Sequence, residues 1–313
     1  MLQFWKLLLG EIINFMYRYQ KYLVAIFIVF VSFGCSEPSL KDASYGINAK
    51  PALWKVEKRH KTLYLLGSIH KLPKELKWYS PKIQKAYTTS NQLIVESLID
   101  RDPDRMAILQ KKYGFLPNGK IISQFLTKDE YKRYQDIVRE LDINIIYANR
   151  LRPWLFFSIL QNKILPKELK NGIDILFMKQ ARKDRKKTFA LETTQEALKA
   201  LSLVPLDEGI QDLKKFLNAK KLTKDEIKDR VDLFVSWANG DTERMAYLIS
   251  KNFSEKKYKY LIVERNKLWY RRMLKYFMRA KSTMLVVGAA HLTGKDSLIS
   301  RLKRNGYKVT RVQ

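Results

Sequence analysis

Two apolar segments at opposite ends of the sequence close on the same four-residue frame, and this pairing constrains the fold more than any other feature. LYLLGSIH occupies residues 63–70, and TMLVVGAAH occupies residues 283–291. In each, an apolar, partly β-branched run reaches a glycine, then two small or apolar residues, then histidine. Runs of this kind read as buried strands. Gly67 and Gly288 let the backbone turn as each strand ends. His70 and His291 are therefore expected at the carboxyl ends of strands, where open α/β sheets gather their ligands. The chain has 3 histidines in 313 residues. Two in matched frames point to one shared site if their strands are neighbours. The third, His60, lies in the charged turn KRHK and reads as exposed.

Further strands are expected at 52–57 and 62–66, at 92–96 (QLIVE), at 187–192 (KTFALE), at 284–287 and in the closing YKVTRV. Ser80-Pro81 and Asp102-Pro103 read as helix starts. Three T-x-x-E capping boxes, Thr127/Glu130, Thr193/Glu196 and Thr223/Glu226, mark others. A long helix is expected over 255–279, and a final one ends at Asn305-Gly306. With strands near both termini and helices between, the expected fold is mixed α/β. It comprises one domain, 51–313, whose sheet is built by both ends, with a helical insertion over about 102–280 as a cap or wall.

Glu96 ends an otherwise apolar run, so its carboxylate should emerge at the same sheet edge as the two imidazoles. A buried carboxylate there needs a cation or several donors. One solution is a divalent ion (Mn, Fe, Co or Zn) on His70, Glu96 and His291, with open positions left for substrate. The other is a salt bridge to a core arginine. Arg265 has Leu261 four residues before it and Trp269 four after, which puts it on an apolar helix face. An inward arginine demands an anion. It would hold Glu96 or Glu192, or act as an oxyanion donor, with Asn266 as a second donor. Glu192, in ALETTQEAL, is a candidate general base or partner to a metal-bound histidine. The helix macrodipole would favour the same residue. No G-x-S-x-G elbow occurs and the sole cysteine is Cys35, which argues against serine or cysteine nucleophiles.

A net charge of +29, from 60 basic and 31 acidic residues, invites a nucleic-acid reading. The charges are interspersed, however, and the densest block, RKDRKK, is short. No zinc-finger spacing, RNP-like motif or phosphate loop appears, so no specific nucleic-acid partner is expected. The surface reads instead as strongly solvated, with an attraction to anionic lipid or envelope polymers. Residues 22–33, YLVAIFIVFVSF, follow Arg18 and Lys21 and resemble a signal peptide, short for a membrane span. SFGC resembles a lipobox, with Cys35 as the lipidation site and Ser32 where such boxes carry Leu. Met1 and Met16 both fit as starts. The expectation is a leader (1–35), a polar linker (36–50) and an outer-membrane-anchored periplasmic lipoprotein, the alternative being an uncleaved N-terminal anchor.

PALWKV, LYLLGSIH, LIVES, GIDILFMKQA, FALETTQEAL, WANGDTERM, VERNKLW and VVGAAHLTGKDSLISRLKRNGYKV together resemble the TraB/GumN family, from about Pro51 to the C-terminus. This family is related to Tiki, a membrane-anchored metalloprotease, whose anchor is here replaced by a short leader. The resemblance implies a metal-dependent peptidase holding Mn, Co or Zn on His70, Glu96 and His291, with Arg265 nearby. Erythromycin-esterase-like members of the wider superfamily imply hydrolysis by a matching His and Glu. The leading expectation is thus an envelope hydrolase acting on a peptide or small molecule. Its rivals are a metal-free esterase or lactonase with His70 as base and Glu96 as orienter, and a protein that binds metal or haem without turnover.

Overall fold

The computed structural model describes residues 47–313, apart from 74–75, 99, 101, 165–168 and 220–223. The leader, Cys35, most of the linker and the Thr223 cap lie outside the described residues.

Strands β1 (Leu53–Lys58) and β2 (Lys61–Ser68) form a hairpin. Its two-residue turn places Arg59 and His60 at φ 48° and 62°, the left-handed geometry that suits the twist of a tight hairpin. His60 is exposed there. Strands β3 (Gln92–Val95), β4 (Lys187–Ala190), β5 (Ser282–Gly288) and β6 (Lys308–Arg311) complete a six-stranded sheet of order β6-β1-β2-β5-β3-β4. From β2 to β4 every neighbour is parallel, and β6 and β1 are antiparallel additions. The strands carrying the two glycine-histidine frames are direct neighbours, with Leu65 opposite Leu285 and Ser68 opposite Gly288. They are covered on both faces, which is why they read as nearly unbroken apolar runs.

Around the sheet stand α1 (Pro81–Thr88), α2 (Ile173–Lys183), α3 (Thr242–Asn252), α4 (Glu264–Phe277) and α5 (Leu298–Arg304). Ser80 caps α1 through Ile83 N–H, and Gly306 ends α5 at φ 74°. Trp269, Met273 and Phe277 of α4 share one apolar cluster with Val56, Leu63, Leu65, Ile94, Leu285 and Val287. The long helix expected over 255–279 is not uniform. A π-helical turn, Lys259–Val263, separates a short first turn, Glu255–Tyr258, from α4. The strand expected over 187–192 stops at Ala190: the Leu191 N–H is shared between the Val95 and Glu96 carbonyls, and the Glu192 N–H donates to Glu96 as well.

The chain divides into two compact units. One is helical and draws on residues 101–166 and 201–231. In it, Tyr134 is fully buried and donates to the Ala148 carbonyl at 2.7 Å, and the Thr127/Glu130 capping box forms as expected. The other carries the sheet and draws on residues 47–100, 167–200 and 232–313 of the described chain. The stretch 102–280 is therefore not a single insertion, since 167–200 and 232–280 bring β4, α2, α3 and α4 to the sheet unit. Among the described residues no helix is long and apolar enough to cross a membrane.

Gly172, the N-cap of α2, shows how closely the chain is packed beside the site. A Cβ there would lie 2.4 Å from the Ile69 carbonyl oxygen and 2.5 Å from His70 Cα. Gly172→Ala is expected to destabilise the fold by about 2 kcal/mol, since backbone on both sides must shift. Urea unfolding checks this: the midpoint should fall while the slope stays unchanged.

Candidate functional site

Four parallel strands deliver four titratable side chains to one edge of the sheet. His70 follows β2, His291 follows β5 in a 3-10 turn (Ala289–Leu292), Glu96 follows β3, and Glu192 follows β4. Glu192 N–H donates to the Glu96 carbonyl at 2.8 Å, tying the last two turns together. Gly67 lies against the same 3-10 turn, where a Cβ would meet that of Ala289 at 3.0 Å. Gly288 locates the centre. A Cβ on it would stand 2.9 Å from Glu96 Oε1, 3.7 Å from His291 Cδ2 and 3.9 Å from His70 Nε2. His291 Cδ2 and His70 Nε2 are thus no further apart than the sum of the last two distances, and the two imidazoles lie in one cluster.

Arg265, on the first turn of α4, organises that cluster. It grips Glu192 with two bonds, Nε to Oε2 at 3.1 Å and Nη2 to Oε1 at 2.7 Å. Nη2 also reaches Glu96 Oε2 at 3.3 Å. Nη1 donates to the Leu261 carbonyl at 3.3 Å and to His291 Nε2 at 3.2 Å. All of the roughly five N–H bonds a guanidinium offers are used. Its plane lies over the Trp269 ring at 4.5 Å, and the Trp269 indole donates to Glu192 Oε2 at 2.9 Å. Burial pushes the Glu192 carboxyl above its usual range, while the neighbouring guanidinium pulls the other way.

The same network sets the state of His291. Asn266 Nδ2 donates to the carbonyls of Asp296 and His291 at 3.0 and 3.4 Å, so its Oδ1 is left to accept from His291 Nδ1 at 2.8 Å. Arg265 only donates, so Nε2 must accept. His291 is therefore neutral with its proton on Nδ1. Burial, then the charge of Arg265 and then His70, hold its pKa well below the ordinary 6.5.

His70 is built differently. Its Nδ1 lies 3.3 Å from Asp174 Oδ2 in the first turn of α2, and its side chain keeps 18% exposure against 4% for His291 as a residue. Asp174 was not singled out by sequence reasoning. A lone acid in a helix's first turn is accounted for by the macrodipole alone, and only its place in GIDILFMKQA offered a signal.

His70, Glu96 and His291 meet as predicted, but the donor set does not fit a metal ion held by all three. Among the described residues no group of three or more His, Cys, Asp or Glu is disposed to hold one. The physical reason is that Arg265 already takes His291 Nε2 and Glu96 Oε2, so the carboxylates' counter-charge is a guanidinium. The donors of Arg265 and Asn266, expected to serve an oxyanion, reach protein acceptors in this structure. Glu192 is 2% exposed, and both of its oxygens accept from Arg265. The carboxylate found beside His70 Nδ1 is that of Asp174.

A family model described as TraB/PrgY/gumN matches residues 52–311. Metalloprotease TIKI2 of Xenopus tropicalis is 25% identical, over 82% of this chain and 59% of its own length. The chain thus spans under two thirds of that relative. No solved structure matches.

The neutral state of His291 has a measurable consequence. Its folded pKa is depressed, so its contribution to stability is complete above about pH 6.5 and is lost as pH falls, by up to ~1.4 kcal/mol per pH unit. Glu192, whose folded pKa is raised, acts with the opposite sign. The comparison is therefore between the wild type and His291→Gln. Between pH 7.5 and 5.5 the wild type should lose about 1 kcal/mol more in urea unfolding than the variant. Equal losses would contradict the assignment.

Proposed function

The chain belongs to the TraB/PrgY/gumN family, and on that premise we propose that it is a hydrolase cleaving peptide bonds, with His70 as the base that activates water. The observation that carries this reading is the contrast between the two imidazoles. His291 has its ring nitrogens on Asn266 and Arg265, whereas His70 has Asp174 beside Nδ1 and its Nε2 buried near Glu96 Oε1, both within 4 Å of the position a Gly288 Cβ would take. A carboxylate on Nδ1 selects the tautomer whose Nε2 accepts a proton, the arrangement general-base catalysis requires. In the reaction, water gives a proton to His70 Nε2 as its oxygen attacks the carbonyl. His70 then returns that proton to the leaving amine. Arg265 stays charged through neutral pH and holds Glu192, Glu96 and His291 in place beside it. The choice of a peptide substrate draws on the similarity to a metalloprotease.

The same similarity favours a second reading, in which a divalent ion is involved. An Asp on Nδ1 also orients a metal-binding imidazole. That reading requires Arg265 to release His291 Nε2 and Glu96 Oε2. The full-length chain, assayed with an internally quenched peptide library before and after exhaustive chelation, separates the two. His70→Ala should lower turnover by about 100-fold or more, and wild-type activity should survive chelation. Loss on chelation with restoration by Mn, Co or Zn would overturn His70 as the base in favour of the ion. No cleavage under either condition would overturn the peptidase reading.

We further propose an envelope location, supported by the leader pattern that ends at Cys35. Metabolic labelling with a palmitate analogue should mark the full-length chain and not Cys35→Ser. Equal labelling of the two would reject Cys35 as the lipid site.

A further inference from the structure

One more buried polar side chain stands beside Gly288. Ser68 is the register partner of Gly288 across the β2–β5 ladder. In-register residues of parallel neighbours project from the same face of the sheet, about 5 Å apart. Ser68 is 1% exposed, and its hydroxyl oxygen is buried with no hydrogen-bond partner among the described residues. A buried hydroxyl left unpaired is unfavourable and calls for a polar guest. On that face a Cβ at Gly288 would stand 2.9 Å from Glu96 Oε1 and 3.9 Å from His70 Nε2, so two atoms able to accept hydrogen bonds lie near the Ser68 hydroxyl's neighbour on the ladder.

We propose that Ser68 Oγ, His70 Nε2 and Glu96 Oε1 seat the water that attacks the substrate, and that Ser68 sets its orientation. This rests on the hydrolase reading above. The hydrogen-bond count matches a single water molecule. One of its O–H groups donates to His70 Nε2 and the other to Glu96 Oε1. The Ser68 O–H donates to one of its lone pairs, and the second lone pair is left to form the new bond to the carbonyl carbon. Glu96 Oε1 also accepts from Gly288 N–H, which holds that acceptor in place. As the new C–O bond forms, the first O–H proton passes to His70. When the C–N bond breaks, the proton goes from His70 to the departing nitrogen. Glu96 and Ser68 end unchanged. A water so fixed by three partners satisfies the usual condition for a buried water.

The test has a structural and a kinetic arm. A high-resolution crystal structure of the full-length chain should show an ordered water within hydrogen-bond distance of all three atoms, lost or displaced in Ser68→Ala. A dry or differently occupied space in the wild type would overturn the proposal whatever the activity. With the quenched peptide library, Ser68→Ala should lower kcat by about 10-fold or more, with KM within about two-fold, and Ser68→Thr should recover part of the loss. Unchanged kcat in Ser68→Ala, with His70→Ala inactive, would overturn the role of Ser68 and leave the hydrolase reading intact. The water present in a protein that cleaves nothing would overturn the hydrolase reading and the reacting role together, leaving only a structural water.

Discussion

The site depends on one buried cation. The Arg265 guanidinium binds two carboxylates, a carbonyl and an imidazole, and rests on the face of Trp269. Two acids brought together under a sheet edge would repel and would each bear a desolvation cost. A single planar fork that satisfies both is the arrangement that makes their burial tolerable, and its geometry suits arginine rather than lysine. Its Nη1 bond to His291 also decides which ring nitrogen of that residue carries the proton. The protonation pattern of the pocket therefore follows from where one side chain of α4 is placed.

That placement produces an asymmetry between two segments that look alike. Both glycine-histidine frames end neighbouring parallel strands, in register from Thr62 with Ser282 to Ser68 with Gly288. The frame after β5 turns directly into a 3-10 turn under α4, where Asn266 and Arg265 take both nitrogens of His291. The frame after β2 runs instead toward α2, where Asp174 takes one nitrogen of His70. One imidazole thus joins the Arg265 network, and the other stands beside Asp174 with its Nε2 buried near Glu96. Gly288 is needed for both outcomes, since any side chain there would fill the space between them.

Much of this was legible in the primary structure, and the parts that were not have physical causes. The paired frames, the inward face of the helix bearing Arg265, and the carboxylate ending LIVE each follow from spacing and hydropathy. The identity of the cation that neutralises Glu96 does not. A buried acid states only that a positive charge is required, and an ion and a guanidinium satisfy that equally. Asp174 was hidden because a helix's first turn favours an acid for its own reasons. Ser68 was hidden because a small residue between the glycine and histidine of a frame reads as a spacer. The division of residues 102–280 between two units was hidden because helical periodicity reports a buried face without reporting which partner buries it.

The most direct test is nitrogen-15 NMR of the histidine side chains, which is tractable because the chain has only 3. One imidazole should remain neutral with its proton on Nδ1 and an unprotonated Nε2 from about pH 8 down to well below 6.5, as the depressed pKa of His291 requires. That signal should vanish in His291→Gln. An imidazole at this position that titrates near its ordinary value, or carries its proton on Nε2, would show that Arg265 does not hold His291, and the arrangement described here would be wrong at its centre.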